Sequence, residues 1–231
     1  MIDLKSIKAI SLDLDDTLWP VWPVIERAEK ALDVWLCQNA PMTAKMLSNP
    51  GAKAQLREHV TQSRPELKHN MSAIRREAIR LALHRSQEDP MLAGPAFDVF
   101  FAERNRVTLF EDAVPALEFL SARFPMVALS NGNADIATIG IDRYFKARIS
   151  AQEFGVGKPD PRIFHAAAGA VDLLPADLLH IGDDARLDVL GALNAGMQTV
   201  WLNRADESWT HPEAPHATVA SLAELCELMQ A

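Results

Sequence analysis

The chain reads as an α/β protein, a doubly wound parallel sheet with an all-helical domain inserted near its start. Three observations predict this. Short apolar runs with β-branched residues, the pattern of strands buried on both faces, open the chain and return from Met126 onward, alternating with helical patterns. Between about Trp19 and Arg106 the apolar residues repeat at helical spacing instead, with no strand signal of comparable length. The strand-like runs also end in Asp, Ser, Asn or Gly, and the carboxyl ends of parallel strands are where such sheets carry their sites.

Taken in order, Ile7 to Leu14 is the first buried strand, and it runs straight into carboxylates. After Trp19-Pro20-Val21-Trp22-Pro23 the helical domain begins, with Val24, Ala28, Ala31, Leu32 and Trp35 on one face. Met71, Ile74, Ala78 and Leu81 mark another helix, and Phe97, Phe100 and Phe101 a third. Loops at Asn39-Ala40-Pro41, Ser48-Asn49-Pro50-Gly51, Ser63-Arg64-Pro65 and Asp89-Pro90 punctuate these helices. The expected division is residues 1–18 and 107–231 for the core and 19–106 for the helical cap. The remainder alternates: helix Val114 to Ala122, strand Met126 to Ser130, short strand Ala147 to Ser150, helix Pro161 to Val171, strand Leu178 to Ile181, helix Asp184 to Ala195 closed by Gly196, and strand Gln198 to Leu202. Ser221 and Glu224 form a capping box that opens the last helix.

Four segments carry the chemistry. In Asp13-Leu14-Asp15-Asp16-Thr17, alternation along a strand projects Asp13 and Asp15 to one side. Two like charges about 4 Å apart repel by roughly 4 kcal/mol at an effective dielectric of about 20, so a cation is needed. The oxygen-rich donor set, poor in histidine and free of cysteine, selects a hard ion, and Mg²⁺ is the usual partner of phosphate with one or two carboxylates. In Ser130-Asn131-Gly132, a strand leads into a helix start, where free N–H groups and the positive dipole end bind phosphate oxygens. In Gly157-Lys158-Pro159, Asp160 is the N-cap and Pro161 the first helical residue, which places Lys158 at the lip of a helix. In Gly182-Asp183-Asp184 with Asp188, Asp183 sits at a strand tip and Asp188 about one turn into the following helix; Asp184 either joins the acids or complements the helix dipole. With Asp13, Asp15, Asp183 and Asp188 ionised, one divalent ion and Lys158 offset three of four charges. A proton on Asp15 would make the substrate-free site neutral, giving a nucleophile and a general acid side by side.

The ordered set Asp13-x-Asp15-x-Thr17, Ser130, Lys158 and Gly182-Asp183-Asp184-x-x-x-Asp188 resembles the haloacid dehalogenase superfamily of aspartate-nucleophile phosphohydrolases, across the whole chain. The stretches Leu129-Ser-Asn-Gly-Asn-Ala and Leu179-His-Ile-Gly-Asp-Asp to Met197-Gln-Thr-Val-Trp201 look most like its bacterial flavin mononucleotide phosphatase branch. The resemblance implies a Rossmann-like core with a cap that governs substrate choice. It implies that Asp13 attacks phosphorus, that Asp15 is the general acid and then base, and that Asp13, Asp183 and the Asp15 carbonyl hold Mg²⁺. Thr17, Ser130 and Asn131 would bind phosphoryl oxygens or support the loop, Lys158 would stabilise developing charge, and Asp184 and Asp188 would act from one layer further out. Many relatives carry glycine where this chain has Asp16, a residue that tolerates turn conformations.

The expected activity is Mg²⁺-dependent hydrolysis of a small phosphorylated metabolite, such as flavin mononucleotide or a sugar or nucleoside phosphate. The alternatives are a 2-haloacid dehalogenase, which needs no proton donor for halide and usually lacks an acid where Asp15 stands, and a phosphate-binding or regulatory protein without turnover. A net charge of −8 argues against nucleic acid, and no apolar stretch approaches the ~20 residues of a membrane span. Without a signal-peptide pattern the expected setting is the cytoplasm, as monomer or homodimer. Cys37 and Cys226 lack metal spacing and are expected to be free thiols. Trp19 and Trp22 are expected to pack at the hinge, with stacking of a planar substrate as the alternative; Phe97, Phe100 and Phe101 are expected to form cap core, and Arg75, Arg76 and Arg80 to line a solvated helix face, with contact to an anionic substrate as the alternative. His180 is expected to be a packed histidine, not a ligand.

Overall fold

In the computed structural model, which describes residues 2–230, β1 (Ala9–Leu12) is buried at every residue. It is shorter than the apolar run from Ile7 to Leu14, because ladder pairing starts and stops with its neighbours while Ile7, Asp13 and Leu14 stay buried outside it and Lys8 is exposed. The helical segment follows: α1 (Val21–Asn39), α2 (Pro41–Leu47), α3 (Ala52–Ser63), α4 (Met71–Arg85) and α5 (Ala93–Arg104). Then come α6 (Ala113–Ser121), β2 (Met126–Ser130), α7 (Ile136–Ile139), β3 (Ala147–Ser150), α8 (Ala151–Phe154), α9 (Pro161–Gly169) and β4 (Leu178–Gly182). A π-helical turn (Ala185–Leu190) runs into α10 (Gly191–Asn194), followed by β5 (Gln198–Leu202), β6 (Ala217–Val219) and α11 (Leu222–Leu228).

The strands form one parallel sheet in the order β3-β2-β1-β4-β5-β6. The chain winds outward through β2 and β3, then returns to the other side of β1 for β4, so the order reverses at β1. In such sheets the crevice beyond the carboxyl ends at the reversal is where ligands bind. β6 is an edge strand of three residues, too short for a periodic signal in the sequence. At the last helix Ser221 accepts the Glu224 N–H, while the Glu224 carboxylate accepts from the N–H of Ala220 rather than Ser221, so the capping box is shifted by one residue.

Two compact units divide the chain. One runs to Pro20, resumes for Thr108–Gly132 and continues from Ile139; the other holds Val21–Val107 together with Asn133–Thr138. The second unit builds its own core from Leu32, Leu36, Leu56, Ile74, Phe97 and Phe100. Residues 133–138 fall within it for a polar reason. Asn133 accepts from Arg104 Nε at 3.3 Å and donates to Ser72 at 3.2 Å, and Asn105 accepts the Asp135 N–H at 2.8 Å. Arg75 corrects the expectation of a solvated face: it is mostly buried, paired with Glu29 and laid over the Phe100 ring at 3.7 Å. Trp22 is also not packed, being 75% exposed. Both cysteines are free thiols. Among the described residues no helix is long and apolar enough to cross a membrane.

Candidate active site

Asp13 leaves the end of β1 with its N–H bonded to the Ile181 carbonyl, so the sheet itself fixes the start of the first acidic segment. One carboxylate oxygen from each of Asp13, Asp183 and Asp188 lies within 4.8 Å of the others, close enough to share an ion. Lys158, 6% exposed, donates from Nζ to Asp13 Oδ1 and Asp188 Oδ1, both at 2.5 Å. Asp188 makes three contacts: besides Lys158, Oδ1 meets His180 Nε2 at 3.1 Å, and Oδ2 accepts the Asp184 N–H at 3.0 Å. Asp13 and Asp183 each carry fewer hydrogen bonds, which makes them the less encumbered candidates to hold a metal.

The electrostatics fit a hard cation. Burial pushes the Asp13 acid well up, and the charges of Asp188 and Asp183 push the same way, while Lys158 pulls it down. Asp183 is raised to about 7, first by burial, then by Asp188 and Asp16. Burial alone would also raise Asp188, but Lys158 and His180 hold it far below the usual carboxylate range. Lys158 is desolvated, yet Asp13 and Asp188 keep it charged well above its ordinary value. Three acids around one ammonium leave negative charge uncompensated, and oxygen donors of this kind suit Mg²⁺ or a similar ion.

Asp15 stands apart from that cluster. Its carboxylate accepts the indole N–H of the buried Trp19 at 2.9 Å, and it is not one of the three acids whose oxygens meet. Asp16 takes φ +57°, the left-handed turn for which Asp is tolerated where Gly is common. Thr17, fully buried, donates to Asp183 Oδ1 at 3.1 Å. Ser130 accepts the Gly132 N–H at 2.9 Å and shapes the turn after β2. Asn131 clamps the lysine loop in both directions, accepting the Lys158 N–H at 2.7 Å and donating to the Lys158 carbonyl at 2.9 Å. Of the two roles open to Asn131, loop support is the one its amide serves here. Asp184 resolves toward capping: its carboxylate accepts the N–H groups of Arg186 and Leu187, and only its backbone N–H reaches the acid cluster.

Two glycines set the spacing. A Cβ on Gly182 would stand 2.3 Å from Asp188 Cγ, so this carboxylate occupies the room the missing side chain leaves. A Cβ on Gly157 would come within 2.6 Å of Asn131 Oδ1.

Several residues escaped the sequence reading. Trp201 donates from Nε1 to the Asp183 carbonyl at 2.7 Å. Arg204 pairs with Asp112 at 2.9 Å and donates to the Thr17 carbonyl at 3.3 Å. His180 is packed as expected and is no member of the acid cluster, but it also joins Ser11 to Asp188. Its signal was available: Ser11 and His180 are polar residues within apolar runs on two central strands, and they pair in register.

A family model described as haloacid dehalogenase-like hydrolase matches residues 7–196. The 5-amino-6-(5-phospho-D-ribitylamino)uracil phosphatase YigB of Escherichia coli (strain K12) is 30% identical, over 98% of this chain and 98% of its own. The phosphoserine phosphatase of Thermus thermophilus is 28% identical, over 92% and 93%. A crystal structure described as a 2-haloacid dehalogenase from Pseudomonas syringae pv. Tomato DC3000 superposes with a TM-score of 0.91 at 34% identity, covering 97% of this chain and 98% of that one.

Proposed function

This chain belongs to the haloacid dehalogenase-like hydrolases, and on that premise we propose that it is a Mg²⁺-dependent phosphomonoesterase acting on a small phosphorylated metabolite through a phosphoaspartate on Asp13. The observation that carries the reading is Asp15, a carboxyl group two residues from the nucleophile, held by the Trp19 indole outside the acid cluster. A phosphate ester expels an alkoxide and needs that proton; a halide does not.

Asp13 and Asp183, with the Asp15 carbonyl, are the residues that would hold the ion, which would neutralise phosphoryl charge when bound. Asp13 attacks phosphorus in line, the bond to the ester oxygen breaks, and Asp15 delivers its proton to the leaving oxygen. Asp15 then takes a proton from water as water attacks phosphorus, the bond to Asp13 breaks, and inorganic phosphate leaves. Lys158 stays against Asp13 throughout and offsets the charge that builds on the phosphoryl oxygens. Thr17 and Ser130 line the loops that receive those oxygens, and Asn131 fixes the distance between the Ser130 and Lys158 loops.

The relative from Escherichia coli supports a substrate with a ribityl phosphate carrying a planar ring, a chemistry that flavin mononucleotide shares. The superposed structure favours a second reading, 2-haloacid dehalogenation. A panel of 5-amino-6-(5-phospho-D-ribitylamino)uracil, flavin mononucleotide, phosphoserine, sugar and nucleoside phosphates and 2-haloacids, assayed with Mg²⁺ and with EDTA, separates the two. Phosphate release that needs Mg²⁺, without halide release, is expected. Halide release from 2-chloropropionate with no ester hydrolysed overturns the proposal.

A further inference from the structure

We propose that His180 is a positioning residue: a buried chain of hydrogen bonds from Ser11 through His180 and Asp188 to Lys158 holds the lysine against Asp13. The links are 2.8 Å from Ser11 Oγ to His180 Nδ1, 3.1 Å from His180 Nε2 to Asp188 Oδ1, and 2.5 Å for each contact of Lys158 Nζ, with Asp188 and with Asp13. All five residues are buried, with Ser11 at 0% and His180 at 1% exposure, so water does not substitute for any link.

The sheet dictates the line of the chain. Ser11 on β1 and His180 on β4 are register partners, and alternation puts Ala9, Ser11 and Asp13 on the same face. Around them that face is apolar, built from Leu178, Ile163, Phe164 and Met197. Packing alone would accept leucine or methionine at position 180. What an aliphatic side chain cannot do is serve both a carboxylate and a hydroxyl. Phe164 meets the imidazole edge-on, with centroids 5.1 Å apart at 89°, and restricts its rotation.

The hydrogen bonds also have a direction. An ionised Asp188 only accepts, so Nε2 must carry the proton; in a neutral ring Nδ1 then accepts from the Ser11 hydroxyl. Flipping the ring would aim C–H groups at both partners. Without His180, Asp188 Oδ1 keeps Lys158 as its one donor, and Ser11 retains only the Met197 sulfur at 3.9 Å. The carboxylate is then freer to rotate, and Lys158 loses its fixed aim at Asp13. The kinetic arm rests on the phosphatase reading for its substrate; the geometry does not.

The test joins kinetics to a spectroscopic readout. His180→Leu should lower kcat by about 10- to 100-fold, the usual effect of losing such an orienting partner, with KM changed by less than about threefold. His180→Gln, whose amide N–H reaches toward Asp188, should recover most of that loss. Two-bond ¹H–¹⁵N spectra of the unmodified protein, with His180 assigned by difference from the Gln variant, should show a proton on Nε2 and none on Nδ1. A Leu variant retaining at least half the kcat, or folded Leu and Gln variants equally impaired, overturns the proposal, as does a proton on Nδ1 alone. Should the Leu variant fail to fold, Ser11→Ala and the tautomer decide: a smaller loss in kcat supports the chain, and an unchanged kcat refutes it. If the unmodified protein hydrolyses no phosphate ester, the phosphatase reading fails, while the tautomer still judges the chain.

Discussion

In the helical unit one carboxylate, Glu29, meets three cations, Arg75, Lys53 and Arg57; in the sheet unit one ammonium, Lys158, sits among three carboxylates, Asp13, Asp183 and Asp188. The first cluster reaches solvent through Arg57 and Asp33 and balances by ordinary pairing, with Asp33 also on Lys53. Charges placed that way contribute modestly to stability and ask for nothing further. The second is buried and short of positive charge. Its acids either hold protons or hold an ion, so the same inventory of side chains makes a strut in one unit and a candidate reactive centre in the other.

The strongest way to break the comparison is Asp13→Asn. An amide is a poor nucleophile, and turnover should fall by about 10⁴-fold or more, as for other lost nucleophiles, with the fold intact by circular dichroism. Next is Asp15→Asn, which should cost an alkyl phosphate about 10²- to 10⁴-fold in kcat, the range of general acid catalysis, and p-nitrophenyl phosphate far less. Equal losses on both esters would remove Asp15 as the acid. Trp201→Phe takes away the N–H on the Asp183 carbonyl without changing shape much. Mg²⁺ affinity by titration calorimetry should weaken about tenfold, the low end for loss of such support.

The smallest effect belongs to the helical unit. Burial pushes Glu29 up, but Arg75 and Lys53 outweigh it and hold its carboxyl below the ordinary value of 4.5. A depressed folded-state pKa stabilises above the unfolded value, and that gain is lost as pH falls through the folded one. Glu29→Gln should therefore lower the melting temperature by a few degrees at pH 7, a change on the order of 1 kcal/mol. The difference should shrink as pH drops below about 4.5, and kcat should stay near that of the unmodified protein. A difference independent of pH would mean that packing, not charge, holds the strut.

Much of this was legible in the sequence because strand burial leaves a plain trace. Met126–Ser130, Ala147–Ser150 and Gln198–Leu202 appear where the apolar runs end in polar residues. Asp13, Lys158 and Asp183 converge because each stands at the tip of a buried strand or the lip of a helix, and Asp188 joins them from the first turn after β4. Arg75 was opaque, since a helical arginine looks solvated until a distant Glu29 and Phe100 close over it. Trp201 and Arg204 were opaque for a similar reason: each reaches a backbone carbonyl, which no side-chain pattern announces, and the Asp112 that pairs with Arg204 is far off in sequence. The membership of residues 133–138 in the helical unit depends on Arg104, Asn105 and Ser72, far off in sequence.

The clamp between Asn131 and Lys158 has a mechanical corollary. With the carbonyl and the NH₂ of one side-chain amide both bonded to one residue's backbone, the turn after β2 and the approach to α9 are riveted together. Neither can swing without the other, so whatever breathing motion admits a ligand has to carry the pair as a single plate or leave it still.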